Sequence, residues 1–342
     1  MNVRIASSVA LCLSFLAASA TVAQEEAPAE KPLRAGIIGL DTSHVVAFTK
    51  LLNDPKAPPE VAGVSVVAAY PGGSPDVPSS INRVPEYTKT LKETYGVEIV
   101  DSIEALLEKV DVVLLESVDG RPHLEQARPV FAARKPMFID KPVAGSLADA
   151  IAIYELARET GTPVFSSSAL RFGPGIAAMR AGKLGAVAGC DAYGPCELEE
   201  HHPDLFWYGI HGVERLYTIM GVGCDTVARS STEGSDVAVG VWKDGRIGTF
   251  RGIRAGAPHD FGATVFGAKG IGPSGGYAGY APLVAEIVKF FRTGQAPVAP
   301  EETLEIFAFM EAADESKRQE GRPVTIESVI AKARAEVASR GK

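Results

Sequence analysis

The sequence predicts an α/β protein with an N-terminal Rossmann-type, doubly wound parallel sheet and a C-terminal α/β domain with an open, mainly antiparallel sheet. Between residues 33 and 145, short apolar runs alternate with helical stretches, which is typical of a parallel sheet covered on both faces. Between residues 146 and 330, strand-like runs follow one another directly, which favours antiparallel pairing. The length of 342 residues suits two domains and leaves 331–342 as a predicted tail.

The first domain is expected to present its chemistry on loops. The predicted strands are 34–40, 64–70, 98–100, 112–115 and 137–139. The predicted helices are 43–53, 85–95, 102–110 and 123–133. Ligands bind at the carboxyl ends of such parallel strands, so the loops after them are the places to search: 40–44, 70–80, 116–123 and 140–142.

The second domain is predicted from strands separated by turn signals. The predicted strands are 162–167, 186–193, 225–230, 236–243, 246–254 and 260–267. The run Lys243-Asp244-Gly245-Arg246 is a hairpin turn signal between two of them. The predicted helices are 206–220, 283–292 and 303–319.

Composition and charge exclude several classes of protein. With 46% hydrophobic and 22% charged residues, the chain is neither disordered nor collagen-like nor a disulfide-dense mini-protein. The formal net charge is −8, and no stripe of basic residues is present. Nucleic acid is therefore not an expected partner.

Residues 1–23 resemble a cleaved export signal. Arg4 supplies the positive start, 9–18 is apolar, and small residues recur at 18–20 and 21–23. The apolar run is shorter than the ~20 residues of a membrane span, so cleavage is favoured over a membrane anchor. We expect a periplasmic or secreted protein without membrane association, with 24–32 as a linker. The positively charged start has no Arg-Arg pair, which indicates the general export route for unfolded chains. An unfolded chain carries no bound cofactor across the membrane.

Four segments together resemble the Gfo/Idh/MocA family of glucose–fructose oxidoreductases and inositol dehydrogenases, over residues 33–326. They are Gly36-Ile37-Ile38-Gly39, the stretch 117–123 ending in His123, Asp140-Lys141-Pro142, and Gly209-Ile210-His211. The resemblance implies a dinucleotide-binding domain, a substrate domain, oxidoreductase activity on a sugar or sugar derivative, NAD(P) as cofactor, and a homo-oligomer.

The dinucleotide fingerprint of that family is degenerate here. The expected Gly-x-Gly-x-x-Gly places Gly39, Asp41 and His44 where three glycines would lie. A carboxylate at Asp41 competes with phosphate for the positive end of the following helix. Residues 69–73, after the second strand, offer no charged side chain for the adenosine ribose or its phosphate. We therefore expect ordinary NAD(P) binding to be lost or abnormal.

Two interpretations of the altered crevice remain open. Asp41 either caps the helix that begins near residue 42, or it converges with His44, Glu116 and His123 to hold a different ligand. Gly39, Asp41, His44 and Glu116 are thus the residues of the degenerate cofactor site. His123 is also expected to orient its own loop.

The resemblance assigns the predicted catalytic pair. It implies that Lys141, often after a cis Lys-Pro bond, contacts substrate and helps to move the hydroxyl proton, and that His211 is the general acid/base. A histidine that titrates near neutrality suits that task, and burial can lower the pKa of a lysine. The candidate substrate-binding residues are Arg171, Trp207, Tyr208 and His123. Trp207 replaces a family aspartate and suits stacking against a sugar.

A divalent metal is an alternative cofactor. His211 and Glu214 are three residues apart, a spacing at which two side chains on one face of a helix can bind the same metal ion. His201 and His202 lie in the acidic stretch 197–204, which also suits a solvated loop.

Three functions follow from these residues. The first is an exported sugar oxidoreductase of this family with lost or abnormal NAD(P) binding. The second is an NAD-independent carbohydrate lyase, hydratase or epimerase, with or without a metal, that uses His211 and Lys141. The third is a non-catalytic sugar-binding protein.

Overall fold

Six parallel strands form the first sheet, in the order β3-β2-β1-β4-β5-β6. They are β1 (Leu33–Ile38), β2 (Val64–Tyr70), β3 (Glu98–Ile99), β4 (Val112–Leu115), β5 (Met137–Ile139) and β6 (Val164–Ser166). The strand order reverses between β1 and β4, which is where folds of this kind open a ligand crevice. The computed structural model describes residues 31–258 and 260–340, so the predicted signal at 1–23 lies outside the described residues.

Helices cover both faces of this sheet. They are α1 (Ser43–Leu52), α2 (Pro78–Ile81), α3 (Val84–Tyr95), α4 (Ile103–Leu107), α5 (His123–Ala132) and α6 (Leu147–Thr160). Successive strand residues alternate between the faces, so Leu114 belongs to one buried apolar cluster and Leu115 to the other. This two-sided burial explains why the strands are continuously apolar, as the sequence predicted.

Seven strands form the second sheet, in the order β12-β11-β7-β10-β9-β8-β13. They are β7 (Val187–Pro195), β8 (Cys224–Ser231), β9 (Ser235–Trp242), β10 (Ile247–Ile253), β11 (Gly262–Gly267), β12 (Gly270–Pro273) and β13 (Val324–Thr325). All neighbours pair antiparallel except β7 and β10, which pair parallel. The predicted turn joins β9 to β10, and Gly245 there has a φ of 86°, a conformation that favours glycine.

The remaining helices pack on one face of the second sheet and against the first domain. They are α7 (Pro174–Arg180), α8 (Asp204–Trp207), α9 (Ile210–Met220), α10 (Ala281–Thr293), α11 (Pro300–Arg318) and α12 (Ile326–Arg340). Within the described residues, no helix is long and apolar enough to cross a membrane.

The structure corrects the predicted domain boundary and the predicted tail. Strand 162–167, assigned to the second domain, is β6 and pairs with β5 in the first sheet, because α6 is the crossover between two parallel strands. Residues 331–340 belong to α12, which packs on α6, so the predicted tail at 331–342 is helical as far as it is described.

The helix predicted at residues 206–220 is divided into α8 and α9 at Tyr208-Gly209.

The three described cysteines form no disulfide. Cys190, Cys196 and Cys224 are buried free thiols, and burial raises the pKa of each to about 12.

A buried arginine ties the end of the first sheet to the second domain. Arg171 lies in the 3-10 turn after β6, and its side chain is 1% exposed. Its Nε donates to Glu214 Oε1 of α9 at 2.8 Å, and its Nη1 donates to Glu302 Oε1 of α11 at 2.6 Å. The arginine thus joins three elements and does not line the cavity described below, where the sequence placed it as a substrate contact.

We expect Arg171→Ala to lower the free energy of unfolding by about 3–5 kcal/mol, because it leaves the buried Glu214 carboxylate without its cation. Urea unfolding followed by circular dichroism measures the change. Arg34→Ala is the control, since Arg34 pairs with Asp111 at the surface and should change stability far less. Equal effects of the two substitutions would contradict the structural role of Arg171.

Candidate active site

A cavity of about 380 Å³ lies where the carboxyl ends of β1 and β5 face α9 of the second domain. We call it the interdomain cavity. Its volume lies within the range of small-molecule sites. The lining side chains that can bond or ionise are Thr42, Ser43, His44, Ser79, Arg83, Lys141, Ser168, Trp207, Tyr208, His211, Tyr277 and Tyr280. Both predicted catalytic residues, Lys141 and His211, are therefore brought to one cavity.

Lys141 follows β5 and lines the cavity with 8% of its surface exposed. The Lys141–Pro142 peptide bond is cis, as the resemblance implied. Within the described residues its ammonium has no hydrogen bond or ion pair, although the carboxylate of Asp140 is close enough to interact electrostatically. A buried cation thus faces the cavity with its three donors available.

His44 lies in the first turn of α1 and is held by Asp140. Its Nδ1 is 2.6 Å from Asp140 Oδ2, and the pair is buried. Burial opposes the charged form of Asp140, but the imidazole of His44 and the ammonium of Lys141 outweigh it and hold the pKa at about 2. An ionised carboxylate only accepts hydrogen bonds, so Nδ1 carries the hydrogen and a neutral His44 presents the lone pair of Nε2.

His211 faces the same cavity from the start of α9. Its Nδ1 is 2.8 Å from the hydroxyl of Ser168, which follows β6. Burial is the largest cause that holds the pKa of His211 well below its usual range, and the charge of Lys141 acts in the same direction. His211 is therefore neutral at pH 7 and available as a proton acceptor or hydrogen-bond partner.

Aromatic rings of the second domain contact His211. Tyr208 contacts the His211 ring edge-on with centroids 5.3 Å apart, and Phe261 does so at 5.5 Å. Trp207 also lines the cavity, so both aromatic residues singled out in the sequence lie there. His123 does not, because its ring is buried and faces the carbonyls of Ser117 and Val143.

Asp41 is fully buried beneath the crevice between β1 and β4. Its Oδ1 accepts from the Val118 amide at 2.9 Å, and its Oδ2 accepts from the Ser80 hydroxyl at 2.5 Å. Burial raises the pKa of its carboxyl. The helix cap predicted for Asp41 is supplied by Thr42, whose side chain accepts from the amide of His44. Asp41 instead joins the loops after three neighbouring strands.

Residues 71–80, which we call the covering loop, lie over the place of the first two fingerprint positions. The Leu40 amide donates to the Pro71 carbonyl at 2.6 Å, and a side chain on Gly72 would stand 3.4 Å from Gly39 Cα. Ser74 donates to Asp119 Oδ2 at 2.6 Å across the crevice. The covering loop thus bonds to both walls of the crevice.

A loop of the second domain closes the same crevice from its other side. His202 Nε2 is 3.0 Å from Asp119 Oδ1, and its Nδ1 is 2.7 Å from Glu199. Arg121, beside Asp119, pairs with Asp76 of the covering loop. Residues 199–202, predicted as a metal-ligating or solvated loop, therefore contact the first domain.

The predicted metal ligands are not brought together as one set. Glu214 is bonded to Arg171 and to Ser167 and Ser168, while His211 faces the cavity. Among the described residues, the group with ligand atoms within 4.8 Å of one another is Glu199, Glu200 and His201, on the surface side. The cavity and this acidic group are therefore separate features.

Several cavity residues escaped the sequence interpretation. They are Ser79, Arg83, Ser168, Phe261, Tyr277 and Tyr280. Ser79 and Arg83 come from the long segment between β2 and α3, whose length was the only signal in the sequence. Tyr280 meets the His44 ring edge-on at 4.7 Å, although 236 positions separate them, so only folding reveals the contact.

Glu116 lies at the end of β4, fully buried, and neither carboxyl oxygen has a hydrogen-bond partner among the described residues. Burial, then the charges of Asp140 and Asp41, raise its pKa well above 4.5. The folded protein therefore keeps this carboxyl protonated to a higher pH than the unfolded chain does.

We expect Glu116→Gln to become more stable relative to the natural protein as pH rises from about 4.5 towards the folded pKa of Glu116. The folded natural protein holds a proton that the unfolded chain releases, so its stability falls over that window by about 1.4 kcal/mol per pH unit, and the amide removes this loss. Urea unfolding at pH 4.5, 6 and 7.5 measures the difference. Glu125→Gln is the control, since Glu125 is 72% exposed. A pH-independent difference for Glu116→Gln would refute a neutral Glu116.

Comparison with known proteins agrees with this architecture. Residues 33–168 match the family model described as "Oxidoreductase family, NAD-binding Rossmann fold" of the Gfo/Idh/MocA group. No curated protein matches the chain.

The matching solved structures share the fold at low sequence identity. Apo scyllo-inositol dehydrogenase from Lactobacillus casei aligns with a TM-score of 0.72 and 14% identity, over 87% of this chain and 99% of that chain. The same enzyme with NAD(H) and scyllo-inositol aligns at 0.71 and 14%, over 87% and 100%. An oxidoreductase from Agrobacterium radiobacter with NAD+, L-tartaric acid and magnesium aligns at 0.68 and 17%, over 87% and 99%.

The family match covers the first sheet through β6, and the solved structures extend the likeness to the second sheet. The first domain of the chain is thus similar to the NAD-binding domain of the Gfo/Idh/MocA oxidoreductases, and the solved structures share the fold of both domains.

Proposed function

We propose that this protein acts on a sugar or sugar derivative in the interdomain cavity, after export, and that it does so without NAD(P) in the family's usual position. The observation that carries the proposal is the set of hydrogen bonds across the crevice: Ser74 of the covering loop bonds to Asp119, and Asp41 bonds to Ser80 and to the Val118 amide. Export is the second support, because residues 1–23 have the pattern of a cleaved signal.

The residues at the fingerprint do not fit the pyrophosphate of a dinucleotide. Such sites offer free backbone amides at a helix N-terminus. Here the Leu40 amide is bonded to Pro71 and the Val118 amide to Asp41. Binding would have to break these bonds and expose a buried carboxyl next to two phosphates. The reaction that we propose therefore uses no hydride transfer to or from NAD(P).

A sugar fits what the cavity retains. Trp207 and Tyr208 offer aromatic surface with polar edges, which suits the apolar faces of a sugar ring. The hydroxyls of Ser43, Ser79 and Ser168 offer hydrogen bonds at the walls. Scyllo-inositol, a polyol, is the ligand of one structural relative, which supports a polyhydroxylated substrate here.

Proton transfer is the chemistry that this chain's own residues can perform. His44 presents Nε2 as a base, with Asp140 fixing the ring and balancing the positive charge that forms. His211 is a second neutral imidazole on the cavity wall. The Lys141 ammonium can balance negative charge that develops on an oxygen when a proton leaves the carbon beside a carbonyl. This set suits the lyase, hydratase or epimerase class, with His211 and Lys141 as predicted and His44 in addition.

We also propose an oligomeric state and weigh a non-catalytic role and a metal against the residues of the cavity. A homo-oligomer follows from the family resemblance. A non-catalytic sugar-binding protein would need the same cavity but no base, and the buried His44–Asp140 pair favours catalysis. A divalent metal draws no support from the cavity, since no described lining residue is a carboxylate.

We expect the purified mature protein to bind neither NADH nor NADPH in calorimetric titrations that reach a nucleotide concentration of about 1 mM. Ordinary cofactors bind with dissociation constants at or below about this value. Mass spectrometry first checks that no nucleotide is retained. The control is Asp41→Gly with Ser80→Ala, which removes the bonds that hold the covering loop and should raise nucleotide affinity if the closed crevice is the cause. Micromolar binding by the natural protein would overturn the proposal.

A further inference from the structure

We propose that the ligand of the interdomain cavity carries a carboxylate, as a uronic or aldonic acid does, and that Lys141 binds it. This inference rests on the proposed function, because it names the class of sugar derivative that the same cavity takes. It is carried by the charge distribution of the described residues around the cavity.

The cavity is cationic in an acidic protein. The chain has a formal net charge of −8, with 42 acidic residues against 34 basic ones. Nevertheless, no Asp or Glu is among the described residues that line the cavity, whereas Lys141 and Arg83 are. A neutral sugar gives no reason for this segregation of charge, but an anionic ligand does.

Lys141 lacks a full counter-charge. The residue is 8% exposed, and its ammonium makes no hydrogen bond or ion pair within the described part of the chain. The neighbouring carboxylate of Asp140 accepts a hydrogen bond from His44 Nδ1 through Oδ2, and Asp140 does not line the cavity. A buried, incompletely paired ammonium is costly, and a ligand carboxylate would supply both the charge and the acceptors.

Two further features of the cavity favour an anion. The start of α1, residues 42–44, opens into the cavity and contributes the positive end of a ten-residue helix. Arg83 reaches the same cavity from the start of α3 and is exposed to solvent. Arg83 therefore provides an exposed cation at the cavity, while Lys141 provides the buried one.

The carboxylate also fits the proposed proton transfer. A carbon beside a carboxylate loses a proton with difficulty because a second negative charge forms on the carboxylate oxygens. An ammonium at those oxygens offsets that charge. The His44 and His211 imidazoles line the same cavity as Lys141, which is the arrangement that such a step requires.

The test compares acids with their uncharged counterparts. D-glucuronate, D-galacturonate and D-gluconate are titrated beside D-glucose, D-galactose and D-glucitol, by calorimetry or by quenching of Trp207 fluorescence. We expect at least one acid to bind about 10-fold or more tightly than its counterpart, as for a charge-assisted hydrogen bond. We expect Lys141→Met to abolish that preference and Arg83→Gln to reduce it about 3-fold.

Lys109→Met is the matched control, because Lys109 lies on the surface, pairs with Glu98 and does not line the cavity. It should retain the preference for the acid. Cooperative thermal unfolding of each variant shows that a loss of binding is not a loss of fold. If no acid in the panel binds more tightly than its counterpart, or if Lys141→Met retains the preference, the carboxylate proposal is wrong.

A measurement of nucleotide binding distinguishes failure of the carboxylate proposal from failure of the proposed NAD-independent function. NADH is titrated in the same series, with and without the preferred acid. Micromolar NADH binding overturns the NAD-independent function, whatever the acids do. Absence of NADH binding together with equal affinity for acids and neutral sugars overturns only the carboxylate.

Discussion

The structure of the crevice depends on one buried carboxyl group, that of Asp41. It lies where dinucleotide-binding proteins keep a glycine, so that a phosphate can approach the backbone. Its two oxygens bind the loop after β4 through Val118 and the covering loop through Ser80. A buried polar group without a hydrogen bond is costly, and the hydrogen bonds of Asp41 come from two loops that close over it. Closure of the crevice is thus a consequence of the residue that replaced the glycine.

Closure of the crevice leaves the neighbouring cavity intact. His44 takes the third fingerprint position, and its ring turns away from the covering loop towards Asp140. Because Asp140 and Lys141 are adjacent at the end of β5, one buried carboxylate serves to orient the histidine while the lysine faces the cavity. The altered fingerprint and the side chains that line the cavity therefore come from the same short segments at the ends of β1 and β5.

The two domains are joined on both sides of this cavity by buried charges. Arg171 connects the turn after β6 to α9 through Glu214, and His202 connects the second domain to Asp119. These contacts explain why Glu214 and His202, which have the residue types of metal ligands, do not assemble with His211. Glu214 pairs with Arg171, and His202 lies between Glu199 and Asp119, so both side chains belong to the contact between the domains.

The sequence by itself determined the fold class and five of the six strands of the parallel sheet. It also determined that Lys141 follows a strand of that sheet and that His211 lies at the start of a helix. These follow from local patterns: apolar strands, helix caps and short motifs that the chain carries in order. Only the tertiary structure decided that Arg171 and His123 are buried away from the cavity, that Thr42 rather than Asp41 caps α1, and that Tyr280 and Arg83 belong to the site. The reason is physical: Arg171 binds Glu214 and Glu302, 43 and 131 positions away, and Asp41 binds the Val118 amide, 77 positions away. A local pattern carries no information about which distant groups share a buried space.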